Sequence, residues 1–367
     1  MKRLIVHVGP PKTGTSVLQK WFNSNHSLLA DHGILYPGHK VDANGVSSGN
    51  KDLLLTKNKK EDKLQFHEEK LEALLGSFQK SNFHTLLLSS EFFFSQIPNF
   101  VKYTTGVKLF FIAYVRPEHE FVESIYNQSV KRNKQTAPIA LRQNLPLSYL
   151  DRLSEYIDDF GPEFFHLRGY GAEGFFSNGI ISDFCHAIGL KEDENDLSNE
   201  KINGSYNFEC MEFKRWTNKF NLNNLDSRLD SHLQAYNQGI SNYTVIPQQT
   251  YARYKEQTSA KIHSINKKVS IFNFKELTNY IDTSVRQDYY HQDLHLRHVK
   301  YVSQFISRRD PQLLEQIISL MGTQIKLAYD IERLEVIEEV FKKNQSSKVR
   351  NSYIKMFREK IIGILKK

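Results

Sequence analysis

Short apolar runs alternate with amphipathic ones along the first half of the chain. Leu4, Ile5, Val6 and Val8 form an apolar run of strand length, and Val17, Leu18, Trp21 and Phe22 then recur at helical spacing. SLLADHG predicts a second short helix ending at Gly33, and the polar stretch from Lys40 to Lys63 reads as a long loop. LEALLGSFQK is amphipathic, HTLLLSSE is a buried strand that ends on polar residues, and FFFSQIPNF leads into a connecting helix. KLFFIAYVR is the next strand, closed by Arg116 and by Pro117, which suits the first position of a helix. Phe121, Val122, Ile125, Tyr126 and Val130 mark that helix's inner face, and FFHLRGY and GIISDFCHAIGL add a further strand and helix. The alternation predicts an α/β protein whose central parallel sheet is flanked by helices.

From about Asn203 strand signals fade and amphipathic helical stretches take over. The expected organisation is an α/β core over 1–215 and a mainly helical C-terminal extension or cap over 216–367, with no low-complexity linker and no internal repeat. Forty per cent hydrophobic and 25% charged residues are ordinary for a globular chain and argue against disorder. The formal charge of +8 suits an anionic ligand or an anionic surface without pointing to nucleic acid. Two cysteines, Cys185 and Cys210, give neither a disulfide framework nor a zinc spacing. Together with the absence of an apolar leader pattern and of a run of about 20 apolar residues, they predict a cytoplasmic protein.

The junction between the first strand and helix reads GPPKTGTS. Gly9 and Gly14 have the spacing of a mononucleotide-binding loop, and Ser16 falls where that loop's metal-binding hydroxyl would be. Thr15, however, stands in the lysine's place, and the only lysine of the loop, Lys12, comes two residues before Gly14. The pattern is that of a phosphate cradle at a helix N-terminus with altered chemistry. In an open parallel sheet ligands lie beyond the carboxyl ends of the strands. Here one strand runs into the GPPKTGTS loop, one ends at Ser89, Ser90 and Glu91, and one ends at Arg116, with Ser124 about two helical turns further on.

The loop PKTGTS, together with YVRPEHEFVESIYNQSVKR, resembles the two nucleotide-binding signatures of sulfotransferases that use 3'-phosphoadenosine 5'-phosphosulfate, most closely the bacterial, carbohydrate-type branch. The likeness covers roughly the first two-thirds of the chain, and it implies a P-loop-like core. It also implies that Pro11, Lys12, Thr13, Gly14, Thr15 and Ser16 hold the 5'-phosphosulfate, that Arg116 and Ser124 hold the 3'-phosphate, and that Tyr170 approaches the adenine. Sulfuryl transfer needs a cation where charge grows on the bridging oxygen, a task that suits Lys12. It also needs a base, for which Glu91 is the first choice and His39 the second. The resemblance thus implies transfer to a hydroxyl of a carbohydrate or glycan, releasing adenosine 3',5'-bisphosphate, with no metal required. An ATP-dependent small-molecule kinase and a non-catalytic nucleotide- or glycan-binding protein are the alternatives. A kinase would need a second carboxylate for magnesium, and none is evident.

Three further features are weighed against plainer readings. Asn203 and Ser205, in KINGSYNFE, would close over the nucleotide, with a helix cap by Ser205 as the alternative. His291, His295 and His298, near Asp288 and Asp293, have the spacing of one helical face, which reads as a solvated polar face rather than a metal site. The stretch VRNSYIKMFREKIIGILKK is amphipathic and basic, and is expected to dock on the protein itself. Peripheral contact with the inner membrane face is the other reading.

Overall fold

The computed structural model of the chain describes residues 1–10, 13–40, 47–58, 63–171, 175, 179–190 and 206–365, with side chains described as far as 346 except those of 58 and 63. Its residues gather into two compact units, neither of them a continuous span of sequence. Met1–Val122, Arg142–Ile202 and Gln249–Val285 form the first, and Glu123–Leu141, Asn203–Gln248 and Arg286–Lys367 form the second.

The first unit opens with β1 (Arg3–His7), α1 (Thr15–Ser24), α2 (His26–Asp31), β2 (Ile34–Leu35) and α3 (Lys51–Leu54). β3 (Leu55–Asn58), β4 (Lys63–Phe66), α4 (Glu68–Lys80) and β5 (Thr85–Ser89) follow. A 3-10 turn over Glu91–Gln96 then leads to α5 (Ile97–Tyr103) and β6 (Lys108–Val115). A second such turn, Glu118–Glu120, precedes α6 (Phe121–Arg132), which runs on into the other unit. After α7 (Ser148–Phe160) come β7 (Phe165–Gly169) and α8 (Ile180–Ile188). The central sheet has six strands in the order β2-β5-β1-β6-β7-β8, with β8 at Ile271–Phe272 and every neighbour parallel.

Strand alternation explains why both faces are covered. Leu4 and Val6 of β1, Leu86 and Leu88 of β5 and Phe111, Ala113 and Val115 of β6 point into one buried cluster. Ile5, Leu87, Ile112 and Tyr114, the residues between them, point into another with Leu18 and Phe22 of α1 and Phe184 of α8. A two-sided apolar strand has no solvent face, which is how these runs read in sequence. Because the chain leaves β1 toward β2 and leaves β6 toward β7, the switch point of the sheet lies between the carboxyl ends of these adjacent strands, the place where open parallel sheets bind ligands.

Four local expectations are corrected. The stretch from 40 to 63 is not all loop, since it contains α3 and the first strand of the antiparallel pair β3–β4, four residues each and too short to show a period around Leu53, Leu54 and Leu55. A strand also lies beyond Asn203: β8 is two residues long and sits between α11 (Gln248–Lys268) and α12 (Phe274–Thr283). Pro117 precedes the 3-10 turn rather than opening α6, and Ile125 is 51% exposed where an inner face was expected.

The second unit is helical. It contains α9 (Phe208–Thr217), α10 (Leu225–Gln234), α13 (Leu296–Arg309), α14 (Pro311–Gly322) and α15 (Ala328–Leu365), around a core of Phe213, Trp216, Val302, Ile306, Leu314 and Ile337. Asp310 and Pro311 start α14 sharply, because the Asp310 carboxylate accepts from the Leu313 N–H at 3.0 Å and proline suits the first turn. No helix among the described residues is long and apolar enough to cross a membrane.

Candidate functional site

At the end of β1 the backbone turns at Gly9 and again at Gly14, both in the left-handed region with φ of 72° and 73°. That conformation is open to glycine and costly to other residues. Pro11 and Lys12 lie outside the described residues. On their far side Thr13 is buried, and its Oγ1 donates to the Pro10 carbonyl at 2.6 Å, closing the loop on itself. Gly14 is the N-cap of α1, whose first turn carries no acidic residue and no side-chain cap among the described residues. No side-chain acceptor among the described residues serves its leading N–H groups, while the Val17 N–H donates to the Gly14 carbonyl at 2.9 Å. Thr15 is 6% exposed, and its Oγ1 is buried without a hydrogen-bond partner among the described residues, whereas Ser16 faces outward. A buried hydroxyl at a helix start is costly to leave unpaired.

Glu91 follows the carboxyl end of β5 and lies against this loop. A Cβ on Gly9 would sit 3.2 Å from both the Cα and the Cβ of Glu91, and 3.5 Å from Thr15 Oγ1. Burial raises the Glu91 carboxyl above its ordinary value, against the opposing effects of its own backbone N–H, the Gln19 amide and the Lys51 charge. Gln19 belongs to a buried polar network that sequence reasoning did not find. Ser47 Oγ donates to Gln19 Oε1 at 2.9 Å, and the Ser89 N–H donates to Asn50 Oδ1 at 2.9 Å. Ser90 Oγ donates to the Ser48 carbonyl at 2.8 Å. The segment from 47 to 50 thus straps the strand end that presents Glu91. His39, the other candidate base, is hydrogen bonded through Nδ1 to the Tyr36 hydroxyl at 2.9 Å. Burial, then His26, lowers its pKa, and none of its contacts among the described residues brings it to Gly9, Thr15 or Glu91.

Arg116 directly follows β6, the strand beside β1. Its guanidinium lies over the rings of Phe121 and Tyr170, at 5.2 and 5.1 Å, and Nη2 meets Glu120 Oε2 at 3.5 Å. Glu120 is held in turn by the Tyr280 hydroxyl, which donates to Oε1 at 2.6 Å. The 3.5 Å contact is at the long end of hydrogen bonding. Tyr170 follows β7; its N–H donates to the Val115 carbonyl at 2.9 Å and its ring meets Tyr114 and Phe175 edge-on. Ser124 is half-buried in α6 and belongs to the second compact unit.

Three more residues of the first unit were missed in sequence. Glu118 is 4% exposed, and its Oε1 accepts from the N–H groups of Tyr149 and Leu150, at 2.7 and 3.1 Å. Burial nevertheless pushes its carboxyl up to about 7. His119 is 1% exposed with neither ring nitrogen hydrogen bonded among the described residues, and burial lowers its pKa to about 4. Tyr149 is buried, and its hydroxyl donates to the Gly9 carbonyl at 2.7 Å. Of these, only the charged run after Arg-Pro gave any sequence signal, as a helix-capping pattern ahead of an apolar stretch.

The histidine group does not lie on one helical face: His291 precedes α13, His295 caps it and only His298 lies inside it, 4% exposed. Among the described residues no group of three histidine, cysteine or acidic side chains is placed to hold a metal. Asn203 and Ser205 lie outside the described residues. So do the side chains of the C-terminal amphipathic stretch, whose backbone is helical to Leu365. Comparisons of the chain with protein-family models, curated proteins and solved structures returned no match.

Proposed function

We propose that this chain is a sulfotransferase, moving a sulfuryl group from 3'-phosphoadenosine 5'-phosphosulfate to a hydroxyl of a carbohydrate or glycan. The observation that carries the reading is the junction of β1 with α1. There a helix start with no side-chain cap and a buried Thr15 hydroxyl with no partner, both among the described residues, adjoin the backbone turn against which Glu91 is pressed. An anion would satisfy the first two, and a half-buried carboxyl with a raised pKa beside them suits proton abstraction from an acceptor. Placing a carboxylate next to a pure anion store would only weaken binding, so the pairing favours chemistry over storage.

In this reading the loop backbone, Thr15 and Lys12 hold the 5'-phosphosulfate, and Arg116, framed by Tyr170 and Phe121, takes the 3'-phosphate in exchange for its contact with Glu120. The acceptor oxygen attacks sulfur while the bond from sulfur to the bridging phosphate oxygen breaks. The acceptor proton passes to the Glu91 carboxylate, and adenosine 3',5'-bisphosphate leaves with its new charge beside Lys12. No step calls for a metal.

The test is release of adenosine 3',5'-bisphosphate with a panel of glycans in the presence of a chelator. Acceptor-dependent release that survives chelation supports the reading. A folded protein that releases none with any acceptor removes it.

A further inference from the structure

Tyr149 touches the ends of three strands. Its hydroxyl donates to the Gly9 carbonyl after β1 at 2.7 Å, and its ring packs on Phe94, in the turn begun by Glu91 after β5, with centroids 4.2 Å apart. Its backbone N–H donates to Glu118, two residues beyond Arg116 at the end of β6. The bond to Gly9 has a specific consequence. The Gly9–Pro10 peptide has no N–H to offer an anion, because the following residue is proline. It can present only its carbonyl oxygen, which would repel a phosphate or sulfate if it turned toward one. Tyr149 is enclosed in the core and burial raises its pKa, so it stays a neutral donor that keeps this oxygen facing inward. The N-cap of α7, Leu147, has no side chain able to close the helix start, and Glu118 supplies that cap from the turn after Arg116.

We propose that Tyr149 is a positioning residue of the donor site, holding the Gly9 carbonyl out of the anion cradle, and that Glu118 ties this hold to the turn bearing Arg116 by capping α7. The proposal rests on the donor reading above. Tyr149→Phe removes the hydroxyl and keeps the ring on Phe94. It is expected to weaken binding of pyrophosphate and of adenosine 3',5'-bisphosphate by roughly five- to tenfold. Adenosine 3'-monophosphate, which does not use the loop, should bind as it does to the parent. Glu118→Ala should weaken all three ligands, and Glu118→Gln, which keeps an acceptor oxygen for both N–H groups, should restore them.

Unchanged affinities in Tyr149→Phe overturn the proposal, and so does an equal loss for the 3'-monophosphate, which would mean general loosening. A parent that binds pyrophosphate but not the bisphosphate defeats the donor reading while the clamp is still scored on pyrophosphate. A parent that binds neither overturns both.

Discussion

Gly9 and Glu91 approach so closely that a methyl group on the glycine would lie 3.2 Å from the other residue's Cα and Cβ. The end of β1 and the turn after β5 thereby form one wall, with the backbone and Cβ of Glu91 held against the loop.

Gly9→Ala should therefore be harmful twice over. The left-handed φ costs a residue with a Cβ about 1–2 kcal/mol, and crowding against backbone adds roughly 1–3 kcal/mol. A lowered melting temperature together with weakened nucleotide binding is the expected result, measured by calorimetry. Wild-type stability would show that the two backbones are not in contact.

Glu91→Gln is expected to lower turnover by on the order of 10²–10⁴-fold while leaving adenosine 3',5'-bisphosphate binding intact. Only the carboxylate form can accept the proton, so the acidic limb of the rate profile should lie above the ordinary glutamate range, following the raised pKa. For stability the sign is opposite. A raised carboxyl contributes fully below its unfolded value and loses that contribution as pH rises through the folded one, so the variant should be no less stable at neutral pH. A retained rate with an unmoved acidic limb would assign the base elsewhere.

Arg116→Ala should cost roughly 10–100-fold in affinity for adenosine 3',5'-bisphosphate and little for AMP, because a charge-assisted contact to the extra phosphate is all that separates the two ligands. Competition binding reads this directly. Equal losses for both ligands would make Arg116 a structural partner of Glu120 and Tyr170 alone.

His119 gives a pH prediction independent of catalysis. Its folded pKa of about 4 lies below the ordinary 6.5, so its contribution is full above pH 6.5 and is lost as pH falls toward 4. In His119→Phe the melting temperature should gain on the parent over that window, whatever the packing change contributes at all pH values. A constant difference from pH 7 to pH 4 would show that His119 is not buried as a neutral ring.

The sheet's middle is legible in sequence because β1, β5 and β6 carry continuous apolar runs, followed within two residues by Gly9, Glu91 and Arg116. Both edge strands, β2 and β8, are two residues each, too short for any periodicity to announce them. The same limit hides the strap over β5. Gln19, Ser47, Asn50 and Ser89 are polar residues far apart in the chain, and only the folded backbone shows that they satisfy one another. Tyr149 reads as an ordinary apolar position of α7, since nothing local records that its hydroxyl ends on a carbonyl 140 residues away. The histidine spacing misleads for a related reason. It assumes a helix that in fact starts only after His295.

Calorimetric titration with adenosine 3',5'-bisphosphate, set against ADP with magnesium, tests the central claim most directly. The account predicts clear binding of the bisphosphate without metal and a marked preference for it over ADP. Tighter, magnesium-dependent binding of ADP would contradict it.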